Sequence, residues 1–171
     1  VLYLLDANVL ITAHQSYYPV DAVPEFWGWL SHQALAGNVK MPVETYEEVR
    51  DGSTDEERDQ LFAWISDEAN KIAVLLDEDV NPALVARVLN EGYAPDLSDD
   101  EVEQIGRDAF LIAYGLASPA ERCVTTTEVS SPRKQRQNRK IPDVCASLGV
   151  TCCNTFAMLR TLDFSTNWRK P

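Results

Sequence analysis

Hydrophobic and polar positions fall into blocks that switch between unbroken apolar runs and the three- and four-residue spacing of helices. Residues 1–5 form an apolar run closed by Asp6, which predicts a strand buried on both faces of a parallel sheet. Phe26, Trp27, Leu30, Ala34 and Leu35 recur at helical spacing over 24–36, Gly37 ends that helix, and residues 39–41 form a short strand stopped by Pro42. A short helix over 43–50 stops near Gly52, and a second over 55–69 turns Leu61, Phe62, Trp64 and Ile65 inward. Residues 72–76 read as a further strand.

Residues 82–89 are helical, with Leu84, Val85, Val88 and Leu89 on one face, and 92–97 form a loop. Ser98-Asp99-Asp100-Glu101 matches a capping box that opens a long helical stretch toward Ala117, with a break expected at Gly106. A strand over 123–126 leads into a polar loop. Pro142 starts a short helix through Leu148, Gly149 turns the chain, 150–153 is a strand, and Asn154 caps a last helix through Leu162. The tail, 163–171, has no regular pattern. Strands alternate with helices throughout, so the expected class is α/β: one domain over 1–171 with a mainly parallel sheet.

Composition agrees with a single core, since 171 residues with 45% hydrophobic content suffice for one and do not require two. Charge complicates a nucleic-acid role, because a formal net of -12 repels polyanions. Local help lies in the loop over 132–141, where Arg133, Lys134, Arg136, Arg139 and Lys140 supply five of the fifteen basic residues. The plain alternative is a solvated flexible loop. No apolar run approaches the roughly 20 residues that cross a bilayer, and the opening run lacks a basic flank or cleavage site, so a soluble cytoplasmic chain is expected. Cys123, Cys145, Cys152 and Cys153 show no C-x-x-C pair and no spaced His partner, which points to reduced buried thiols. A redox role for the adjacent pair Cys152-Cys153 is the weaker alternative.

Carboxylates carry the candidate chemistry. In open parallel sheets ligands bind outside the carboxyl ends of the strands, and Asp6 ends the first one. Asp6 and Asn8 also suit a simple Asx turn. Glu48 follows the second strand on a helix, with Glu44 one turn earlier and Glu47 beside it, although Thr45-x-x-Glu48 also reads as a capping box. Asp108 sits on the edge of the apolar stripe Ile105, Ala109, Ile112, Ala113 and Leu116, where an unpaired charge is costly, unless Gly106 makes it an N-cap. Glu128 follows the strand over 123–126, and Asp143, at a helix start, competes for the same role. Oxygen ligands without thiol or imidazole suit Mg²⁺ or Mn²⁺.

These residues also carry a resemblance. Leu4-Leu5-Asp6-Ala7-Asn8-Val9-Leu10-Ile11 resembles the opening motif of the PIN-domain ribonucleases, Glu48 in Glu47-Glu48-Val49-Arg50-Asp51-Gly52 matches the second acid, and Asp108 in Asp108-Ala109-Phe110-Leu111-Ile112-Ala113 the third. Thr126-Thr127-Glu128 resembles the fourth motif, which in the family more often carries Asp or Asn, and the following loop is unusually long and basic; the choice between Glu128 and Asp143 stays open. With Lys140-Ile141-Pro142-Asp143-Val144-Cys145, the whole is similar to the PIN-like toxins of prokaryotic toxin–antitoxin systems (VapC-like).

The resemblance implies a three-layer α/β/α sandwich, an endoribonuclease that hydrolyses single-stranded RNA, an antitoxin partner and a homodimer. Asp6, Glu48, Asp108 and Glu128 or Asp143 would then hold the metal, Asn8 or Thr126 would orient water or phosphate, and the basic loop would contact the RNA backbone. Two rivals are a PIN-like module that binds RNA or protein without catalysis, and a haloacid-dehalogenase-like phosphatase. Asn8 stands against the second, which normally needs another Asp there.

Overall fold

The computed structural model describes residues 1–53, 55 and 59–169. Strand β1 (Leu2–Leu5) lies in the middle of the sheet because both of its edges find partners. On one side Tyr3 pairs with Val39 of β2 (Val39–Lys40), and on the other Leu5 pairs with Thr125 of β3 (Arg122–Thr126). The fourth strand, β4 (Thr151–Asn154), pairs with β3, so the order is β2-β1-β3-β4 and every pairing is parallel.

Strand side chains alternate between faces, and two cores follow. Tyr3, Leu5 and Cys123 pack with α1 (Ala7–Thr12), α2 (Pro24–Leu35), α3 (Val43–Asp51), α4 (Gln60–Ser66), α5 (Glu68–Val74) and, late in the chain, the helix Thr155–Thr161. Leu4 and Val124 pack on the other face with α7 (Asp99–Ile105), α8 (Asp108–Ala117) and α9 (Ile141–Leu148), and α6 (Pro82–Arg87) lies against this core. With Thr155–Thr161 numbered α10, helices cover both faces of one sheet, which is a single-domain α/β fold of three layers. Gly115 lets α8 approach β3: a Cβ there would stand 2.9 Å from a methyl of Val124 and from one of Val150.

The strand expected over 72–76 is instead the end of α5 and the residues that follow it. Asp67 accepts from the Asn70 amide and starts that helix, and a short apolar run cannot distinguish strand from buried helix by period alone. What survives is one bridge, with Met41 N donating to Val74 O at 2.7 Å and Leu76 N to Met41 O at 2.8 Å. The helix expected over 55–69 is divided at Asp67, whose extended backbone ends α4, and its positions 56–58 lie outside the described residues.

The capping box at Ser98 is present, with Ser98 accepting from Glu101 N and Glu101 accepting from Ser98 N. Gly106 breaks the following stretch into α7 and α8 at φ 57°, ψ -128°. Two π-helical segments, Ala13–Tyr17 and Val88–Tyr93, have no counterpart in the sequence pattern, and the second takes over Gly92 and Tyr93 from the expected loop. The tail is irregular but docked: Phe164 packs against Tyr18, Phe26 and Trp29, and Trp168 Nε1 donates to Glu25 O at 2.9 Å. Positions 170 and 171 lie outside the described residues. Cys152 and Cys153 alternate across β4, so Cys153 meets Cys123 on one face and Cys152 meets Cys145 on the other, all four as free thiols. Among the described residues no helix is long and apolar enough to cross a membrane.

Candidate acidic site

Parallel strands deliver their carboxyl ends to one edge of the sheet, and the acids of interest collect there. Asp6 follows β1 directly and is 2% exposed. It starts α1, and its carboxyl draws on the Asn8 backbone amide two residues on, as an Asx turn does. Its Oδ2 also accepts a 2.7 Å hydrogen bond from the Thr126 hydroxyl, at the end of the neighbouring strand. Burial pushes the Asp6 carboxyl above its ordinary range, Thr126 and the amides of the exposed Asn8 pull it back, and the charge of Glu128 pushes it up again.

Glu48 reaches the same edge from α3. Burial raises its pKa first and the charge of Asp6 second, while Arg107 lowers it. Of its neighbours, Glu44 turns toward Tyr114 and leaves Oε2 buried with no hydrogen-bond partner, and Glu47 lies near Arg50. Arg107 donates to the Glu44 carbonyl at 3.0 Å and approaches Asp51 at 3.6 Å, so it serves α3 and not Asp108.

Asp108 is the most perturbed of these acids. It is the first residue of α8, and Arg107 stands at the N-cap, so the capping explanation fails. Burial, followed by the charges of Asp6, Glu128 and Glu48, pushes its carboxyl up to about 7, and Lys140 only partly offsets them. Carboxylates that raise one another's pKa stand near enough for their charges to interact.

Glu128 and Asp143 part company in space. Glu128 accepts from Lys140 Nζ at 2.7 Å and from Ile141 N at 2.8 Å, holding the start of α9 beside the cluster. Asp143 turns outward to Ser130 Oγ at 2.5 Å and Ser131 N at 2.7 Å, and the Ser130 hydroxyl lowers its pKa. Its charge is not among those that shift Asp6, Glu48 or Asp108.

The basic loop is less free than its composition implies. Arg136 bridges Glu101 at 2.6 Å and Asp96 at 2.8 Å, and its hydrogen bond holds the Glu101 carboxyl down to about 2. Arg139 donates to the carbonyls of Gly92 and Asp143, and Lys140 is taken by Glu128. Among the described residues only Arg133 and Lys134 of the five lack an acidic partner or an acceptor, which narrows the expected backbone contacts to these two.

Residues 3–166 match the family model of a domain of unknown function, DUF4411. The chain belongs to the DUF4411 family. No curated protein and no solved structure matches it.

The match spans every member of the acidic cluster, from Asp6 to Lys140. One member of that cluster was hidden from sequence reasoning. Tyr93 is 6% exposed, its hydroxyl has no hydrogen-bond partner, and burial followed by the charges of Asp108 and Glu128 raises its pKa. A phenol placed there can donate to a ligand held by these acids. Its only signal in the sequence was an aromatic after Gly92 in a stretch that reads as loop. Among the described residues no three His, Cys, Asp or Glu side chains already stand at metal-ligand spacing. The donor set nonetheless suits a hard cation: it is all oxygen, buried at Asp6 and half-buried at the other acids, and mutually repelling, with Lys140 offsetting Asp108 and Arg107 offsetting Glu48.

Proposed function

We propose that this chain is a metal-dependent endoribonuclease of PIN-domain type that hydrolyses phosphodiester bonds of single-stranded RNA in the cytoplasm, as the toxin of a toxin–antitoxin pair. One observation carries the reading: Asp6, Glu48, Asp108 and Glu128, from separate parts of the chain, place their charges within reach of one another at the carboxyl edge of the sheet. A protein binds such a cluster into its fold at a cost in stability that a divalent cation removes. An antitoxin and a homodimer belong to the same proposal; a membrane does not.

Asp6, Glu48 and Asp108 would hold Mg²⁺ or Mn²⁺, with Glu128 at the rim. Such an ion, when bound, acidifies water and offsets charge on a phosphodiester. Thr126 fixes the Asp6 carboxylate by donating to one of its oxygens. Lys140 tethers Glu128 and keeps a cation beside a site that would otherwise repel a phosphate. Tyr93 Oη supplies a hydrogen-bond donor on the Asp108 side.

A second reading draws on that same ion pair. Lys140 on Glu128 neutralises one acid, as in a module that docks RNA or protein without cutting it. Labelled single-stranded RNA incubated with Mg²⁺, Mn²⁺ or EDTA, for the native chain and for Asp6→Asn and Asp108→Asn, separates the two. Metal-dependent cutting lost in both folded variants supports the nuclease. RNA binding without cutting supports the docking module, and turnover of p-nitrophenyl phosphate instead supports the phosphatase.

A further inference from the structure

A groove of about 710 Å³ runs from Glu128 along the outer edge of β4 to the start of α10. Apart from Glu128 its lining carries no charged side chain, in a protein of net charge -12. Two exposed apolar side chains stand over it: Val129 is 79% exposed and Phe156 47%. The Phe156 ring is held by Tyr17, at 5.2 Å between centroids and 46° between planes. Thr155, a groove residue 2% exposed, turns its hydroxyl toward the Tyr17 phenol, whose pKa it lowers, and so backs the ring pair from below. Asn154 uses its Oδ1 to accept from Ala157 N at 2.8 Å, while its NH₂ makes no hydrogen bond among the described residues.

A groove whose one charge lies at its Glu128 end, with an exposed aromatic face and a free amide, suits a flat heterocycle with polar edges. Its junction with Glu128 places that heterocycle beside the acids. We infer that this groove is a nucleobase subsite, which stacks an unpaired base of single-stranded nucleic acid on Phe156 and meets its edge with Asn154. The inference rests on the nuclease reading for its substrate and adds to it the part of the protein that grips the bases. Stacking of this kind is tolerant of base identity, and losing the aromatic partner weakens binding of a strand by roughly tenfold.

The test uses a fluorescein-labelled ten-nucleotide 2′-O-methyl RNA and an abasic strand of equal length, titrated by anisotropy in EDTA against the native chain, Phe156→Ala and Phe156→Tyr. Phe156 is half exposed on a surface helix, so the variants are expected to fold, and circular dichroism checks it. The expected result is about tenfold weaker binding of the base-bearing strand by Phe156→Ala, recovery in Phe156→Tyr, and no change for the abasic strand. Equal binding by the native chain and Phe156→Ala, equal loss for both strands, or no binding to the native chain overturns the subsite; the last outcome leaves the outer edge of β4 to an extended peptide. Metal-dependent cleavage is measured in parallel. Cleavage with unaltered binding in Phe156→Ala removes the subsite and keeps the nuclease, whereas base-dependent binding without cleavage does the reverse.

Discussion

Thr126 Oγ1 donates to Asp6 Oδ2 across 2.7 Å and 120 residues of sequence, joining the carboxyl ends of two adjacent parallel strands. The same Thr126 oxygen accepts from Glu128 N at 3.1 Å, so one hydroxyl sets the position of two acids.

Thr126→Val should therefore act on stability and on the site together. Asp6 is buried, and removing the Thr126 donor leaves its carboxylate one hydrogen bond short, a loss of roughly 1–3 kcal/mol. Urea unfolding of Thr126→Val, Asp6→Asn and the double variant should show strong coupling, because the second change removes what the first exposes. Additive losses would mean that the bond contributes little.

Asp108 predicts a pH dependence of definite sign. Its folded pKa, about 7, lies above the ordinary 3.8, so the folded state holds this proton more tightly than the unfolded one. Its effect on stability is therefore most favourable below about pH 4 and is lost as pH rises toward 7. Asp108→Asn, compared with the native chain in EDTA, should gain relative stability from pH 5 to pH 8, on the order of 2 kcal/mol. A difference that stays constant with pH would place the Asp108 carboxylate in water.

Salt dependence should separate the members of the basic loop. Arg133 and Lys134 are free for phosphate, so Arg133→Ala with Lys134→Ala should lower the slope of log affinity against log salt by about 1–2. Arg136→Ala should leave that slope unchanged. It should instead speed tryptic cleavage of the loop, since it removes the bridges to Glu101 and Asp96.

Gly106 sits at φ 57°, ψ -128°, a conformation open essentially to glycine alone. An added Cβ would find the Glu103 carbonyl no nearer than 3.5 Å, so the penalty of Gly106→Ala is conformational, about 1–3 kcal/mol. Gly149→Ala, at φ 71°, ψ 25° in the ordinary left-handed region, should cost nearer about 1 kcal/mol. Chemical denaturation of both variants gives the comparison.

The sequence made Asp6 and Asp108 legible for one reason: each interrupts an apolar pattern that needs no charge. The break at Gly106 and the box at Ser98 were legible because their chemistry is local. Residues 72–76 misled because five consecutive apolar residues carry no period, and only the cap at Asp67 decides for helix. Glu128 and Asp143 could not be separated, since both flank the start of α9 and their difference lies in which way the chain turns between them. Arg136 looked like a phosphate ligand because Glu101, 35 residues away, is invisible to local composition. The π-helical path that brings Tyr93 to the acids leaves no pattern at all.

The strand order has a consequence for how the chain acquires its site. β1 lies between β2 and β3, and β3 follows it in sequence only after every element from α1 to α8. Such long-range pairing slows folding, because the intervening loop must close before the contacts form. During synthesis Asp6, Glu48 and Asp108 emerge before Thr126, Glu128 and Lys140 exist to fix and balance them. The acidic edge is thus assembled late, and a nascent chain that stops short of β3 carries three of its acids with no frame to hold them.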